Sequence, residues 1–180
     1  MHEELNWLNP YEIFNDDPEQ YRFITNCNVV YIAYFTNSKG YFNLYPEFNE
    51  EILSFAFEPD GETREALYLG VNVSRVLAQS HDRRIMDTIL FILIHFFEKN
   101  PAKSLIIICE SSDNLERCRN RLFNRWFKKI KTIPGLVICK YDLMISDEGY
   151  ASIFVHSQNR YHDKIRDAFY DIPNRLIELK

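Results

Sequence analysis

The most specific arrangement of chemically capable side chains in this chain is a run of cations: Arg117, Arg121, Arg125 and Lys128. Spacings of four, four and three residues put them on one face of a helix. Between Glu116 and Lys131 stand seven basic residues and one acidic, a local charge of +6. The whole chain carries −5, so the remainder carries −5 less +6, or −11. Such a face suits anion binding or partner binding, nucleic acid included. The simpler alternative is a solvated helix face answered by acids elsewhere in the fold.

A second candidate is a strand-end pocket made by Cys109, Glu110, Ser112 and Asp113. Leu105–Cys109 is a continuous apolar run, and a helical pattern follows it. Ligands in open sheets bind at such carboxyl ends. Two acids there disfavour phosphate and favour a cation or an amine, while helix capping by Ser112 or Asp113 is the plainer use. Cys109 with His81 or His95 has the composition of a nucleophile and its base, but no spacing joins them. The four cysteines include no CxxC pair and the five histidines no HxH or HxxxH, so no metal site is expected. Gly40, Gly61, Gly70, Gly135 and Gly149 are all isolated. No GxGxxG, Walker A or G-x-S-x-G element exists, which removes the common nucleotide-binding and hydrolase loops.

The net charge opposes wide contact with nucleic acid or anionic lipid. Met1-His2-Glu3-Glu4 has neither the basic nor the apolar part of a secretory signal, and the apolar run Ile89–Phe97 is far short of a bilayer span. A cytoplasmic protein with reduced thiols is expected. At 180 residues, one domain spanning 1–180 is expected.

These side chains must be positioned by the surrounding elements. Tyr21–Thr25, Val29–Thr36, Tyr41–Tyr45, Ile52–Phe57 and Ala66–Val73 read as strands, rich in aromatic and β-branched residues. Asn26-Cys27-Asn28 and Asn37-Ser38-Lys39-Gly40 read as turns. Alternation in Ile52–Phe57 turns Leu53, Phe55 and Phe57 to one side. Asp82 is placed to cap a buried helix from Arg83 to about Lys99, which Asn100-Pro101 stops. Asp113 to Glu116 has capping-box spacing for a second helix reaching about Ile130. Leu136–Ser146 and Tyr150–His156 form a hairpin over Asp147-Glu148-Gly149, and a last helix covers about Tyr161 to Asp171. The fold class is therefore α+β: a mixed, mostly antiparallel sheet with an aromatic N-terminal meander, then helix, strand, helix, hairpin and C-terminal helix.

Asp82-Arg83-Arg84-Ile85, Asp87-Thr88-Ile89, Asn100-Pro101, Cys109-Glu110-Ser111-Ser112-Asp113 and Arg119 through Phe127 resemble an uncharacterised bacterial domain-of-unknown-function family, which implies no activity. The order of meander, helix, strand, helix and hairpin is also similar to the second half of acyl-CoA N-acyltransferases of the GNAT type. That resemblance implies acyl-CoA as cofactor, its pyrophosphate held at Ser80–Ile85 with His81, Arg83 and Arg84 as the cationic contacts. This stretch lacks the family's glycines, and Asp82 adds like charge. The expectation is a non-catalytic cytoplasmic interaction or regulatory protein without a cofactor, which binds a protein partner or itself. An acyltransferase with a degenerate cofactor loop is the alternative, and nucleic-acid binding through helix 113–130 is a third reading.

Overall fold

A computed structural model describes residues 7–17, 19–38, 40–48, 50–60, 82–110, 116–145 and 149–173. Its elements are β1 (Ile13–Asp17), β2 (Gln20–Ile24), β3 (Val30–Asn37), a 3-10 turn (Pro46–Phe48), β4 (Ile52–Pro59), α1 (Arg83–Lys99), β5 (Ser104–Glu110), α2 (Glu116–Ile130), β6 (Ile138–Ile145), β7 (Gly149–His156) and α3 (His162–Tyr170). The fold is α+β. The strand order is β1-β2-β3-β4-β5-β7-β6, and among the registered pairs only β4–β5 is parallel. Two compact units are resolved: Met1–Phe35 with Ala56–His95, and Thr36–Phe55 with Phe96–Lys180.

In the first unit, β1, β2 and β3 form an antiparallel meander. The turn between β2 and β3 is the expected one. Asn28 adopts φ +58° and its amide donates to Thr25 O at 2.9 Å. Asparagine tolerates that left-handed conformation better than other side chains with a Cβ. β1 was not expected, because Asn15-Asp16-Asp17 has weak strand propensity. It forms by pairing Ile13 with Phe23 and Phe14 with Arg22, and its register shifts before Asp17. One face of the meander is filled by Phe23, Ala33 and Phe35. Phe23 stacks between Tyr11 and Tyr31 at 6.1 and 5.4 Å. Ile89, Leu90, Ile92 and Ile94 of α1 are fully buried, which explains a helix apolar on nearly every side.

In the second unit, β5 pairs with β7 along its whole length, and β7 pairs with β6 likewise. The parallel register of β4 with β5 runs from Ile52↔Ser104 to Ser54↔Ile106. Side chains alternate between the two sheet faces. Ile106, Ile153, Val155 and Ile145 pack with Ile165, Ala168 and Phe169 of α3. The opposite face receives α2, whose Phe127 meets Phe154 of β7 edge-on at 5.6 Å. Gly135, at φ +78°, supplies the left-handed residue that turns the chain after α2.

One expectation is corrected here. Tyr41–Tyr45 is a succession of turns and not a strand: Tyr41 N donates to Ser38 O and Tyr45 N to Phe42 O. Its aromatics mark core packing, since Phe42 and Phe48 are buried together and their rings meet at 6.4 Å. In β4, Ile52 and Phe55 are the buried residues, and Leu53 and Phe57 are only half-buried. Alternation puts Ile52 and Phe55 on opposite faces, so both faces of β4 are covered. Ala66–Val73 lies outside the described residues.

Candidate functional site

The inward side of α2 is set by Phe123, Trp126 and Ile130, all buried, at helical spacings of three and four. That anchorage turns the opposite side outward. Arg117, Arg121, Arg125 and Lys128 are all exposed, and Lys131 just past the helix is exposed too. The Arg121 Nε donates to Arg117 O at 3.3 Å, a contact within the stripe. Arg121, Arg125 and Lys128 form no ion pair among the described residues.

Beneath this helix lies a polar cluster that sequence reasoning missed. Lys140 of β6 has a side chain only 2% exposed. Its ammonium donates to Asn124 Oδ1 of α2 at 2.8 Å and pairs with Asp142, which is itself about half exposed. Ser152 Oγ donates to the same Asp142 oxygen at 2.6 Å. The alternation Lys140-Tyr141-Asp142 is the available signal: two charges at period two on one face of a strand. Cys109 sits on this side of the sheet, 3% exposed. Burial pushes its thiol up to about 11, against the smaller opposing pull of Arg119 and Lys140. A thiol held protonated near neutral pH is a poor nucleophile. The rest of the strand-end pocket, the Glu110 side chain with Ser112 and Asp113, lies outside the described residues.

At the start of α1 the charges are engaged. Asp82 Oδ1 accepts the Arg84 amide at 2.9 Å, the expected N-cap. Asp82 Oδ2 accepts the Tyr11 hydroxyl at 2.6 Å, and that hydroxyl accepts the Asn26 amide at 3.3 Å. Burial, and then the bond to Asp82, hold the Tyr11 phenol above its ordinary range. The Arg84 guanidinium lies 4.0 Å above the Tyr11 ring and donates to Asn9 O and Pro10 O. Thr88 Oγ1 accepts the Tyr11 amide, and Asp87, buried, accepts that of Asn9. Arg84, a candidate cofactor contact, is thus a clamp on Asn9–Tyr11. Arg83 is exposed, and His81 lies outside the described residues.

A further network joins β6 to α3. The Tyr141 hydroxyl lies 3.2 Å from His162 Nε2, and His162 Nδ1 lies 3.2 Å from Asp163. Burial first, and neighbouring Cys139 second, raise the Tyr141 phenol. Arg166 pairs with Asp163 at 3.0 Å and Asp167 at 2.9 Å, so its charge is answered locally. Among the described residues, no group of three or more His, Cys, Asp or Glu is placed to hold a metal, and no helix is long and apolar enough to cross a membrane.

A family model described as a family of unknown function (DUF6169) matches residues 81–171, just over half of the chain. The match takes in α1, β5, α2, the β6–β7 hairpin and α3. No curated protein and no solved structure matches the chain.

Proposed function

We propose that this chain, which belongs to that family of unknown function, is a non-catalytic cytoplasmic interaction or regulatory protein that docks an anionic partner on α2. The observation that carries the reading is the exposure of Arg117, Arg121, Arg125 and Lys128 together, with three of the four unpaired among the described residues. Charged groups facing each other across an interface fix partner choice and encounter rate more than raw affinity. The groups that would suggest chemistry are held in resting roles: Cys109 is buried and protonated, and Arg84 and Asp82 secure the first unit. Chromatography on a heparin resin at neutral pH tests the reading. A protein of net charge −5 passes through such a resin unless a local cationic face is presented. Retention, lost in Arg121→Glu/Arg125→Glu, is expected. Flow-through of the natural chain, or retention unchanged in the variant, would sink it.

An acyl-CoA-dependent acyltransferase is the second reading. It is favoured by the element order from β4 through α1, β5, α2 and the β6–β7 hairpin, which is the order that the resemblance implies. On this reading acyl-CoA meets His81, Arg83 and Arg84, and Arg84 must first leave the Asn9 and Pro10 carbonyls. The Asp82 carboxylate on the Arg84 amide, at the start of α1, opposes a second anion there. A rise in melting temperature with acetyl-CoA is its signature. An unchanged melting curve at saturating ligand removes it.

A further inference from the structure

We infer that the occupant of the α2 face is a short acidic helix of a partner protein, an inference that rests on the docking reading above. From Arg117 to Lys128 the stripe spans about 16 Å, three helical turns at about 1.5 Å per residue. Carboxylates repeating every three or four residues on a second helix have the same rise and meet it cation by cation. The aromatics of α2 face inward: Phe123 and Trp126 are buried and Phe127 lies against Phe154. Single-stranded nucleic acid thus finds no exposed ring on this helix to stack on. The chain outside residues 116–131 carries −11, and charges further apart than about 8 Å are largely screened at physiological salt. A three-turn ligand ends within the favourable field. A longer polyanion gains no further cations from the stripe.

A second copy of the chain is a poorer occupant. Two α2 faces set together oppose like charges. The acids of α3 at matching spacing, Asp163 and Asp167, are already answered by Arg166 at 3.0 and 2.9 Å.

Fluorescence anisotropy with the full chain tests this. The probes are an alanine-based helical peptide of about 18 residues with Glu on one face, the same peptide with Gln or Lys there, and a DNA duplex. The Glu peptide is expected to bind, with affinity falling at least about tenfold from low to high salt, and the Gln peptide is not. Arg121→Glu/Arg125→Glu is expected to lose the Glu peptide and gain the Lys peptide. That exchange of partner also shows that the variant is folded. Tighter binding of the duplex than of the Glu peptide overturns this inference and leaves the docking reading standing. Failure of every anionic probe overturns both. Self-association abolished by the variant assigns the face to a second copy instead, and overturns the inference.

Discussion

Arg84 and Arg125 are the same residue type on helices of similar length, yet their surroundings differ completely. Arg84 stacks on Tyr11 and donates to two backbone carbonyls, in a region where Asp82 caps the helix and Tyr11 caps Asp82. Arg125 is exposed and forms no ion pair among the described residues. The start of α1 uses its charges to hold the chain together, while Arg121, Arg125 and Lys128 on the outer side of α2 form no ion pair among the described residues. A charged side chain therefore says little about function until its partners are known. Cations that the fold does not consume are the ones left for another molecule.

The contrast can be broken in several ways, and the largest effect is expected on the inner side of α2. Trp126→Ala should lower unfolding free energy by about 3–5 kcal/mol, because a buried aromatic leaves a cavity. Urea denaturation measures it, and a loss below about 1 kcal/mol would show that α2 is not anchored as described. Next comes the start of α1. Asp82→Ala removes the cap and the Tyr11 bond and should cost about 1–2 kcal/mol. Arg84→Ala should cost about 1 kcal/mol. If both leave the denaturation midpoint unmoved, Asp82 and Arg84 hold nothing together and the contrast with Arg125 fails. A smaller effect concerns His156, which is buried and accepts the Gln158 amide on Nδ1 at 3.0 Å. Burial holds its pKa below the usual value. The unfolded chain then takes up the proton first, so stability falls as pH drops below about 6.5. His156→Asn keeps an acceptor without titrating, and its melting temperature should depend less on pH across that range. The smallest effect is that of Arg121→Ala/Arg125→Ala, expected within about 0.5 kcal/mol of the natural chain. A larger loss would mean that the face is structural.

Most elements were legible because their periodicity is local. Asp82 capping α1, the turn at Asn26-Cys27-Asn28 and the apolar β5 run all depend on neighbours in sequence. The departures have non-local causes. β1 exists because β2 offers it a hydrogen-bonding edge, and Tyr41–Tyr45 carries aromatics for a core that lies elsewhere in the chain. The basic stripe was readable from its spacing, but its exposure was not, because that depends on Phe123, Trp126 and Ile130 being buried on the other side of α2. The buried ammonium of Lys140 was hidden for the same reason: only α2 folding over β6 brings Asn124 to it.

The place of β7 has a consequence for synthesis. It lies between β5 and β6 in the strand order, so Ser104 finds Val155 and Cys109 finds Tyr150 only after the intervening helix and strand have been made. On a ribosome, a chain that has not reached Gly149 leaves Leu105–Cys109 without one of its neighbours and β6 without the strand it pairs with. Such late, long-range closure slows folding and exposes an apolar strand to other nascent chains. The second unit should therefore mature only after translation has passed β7.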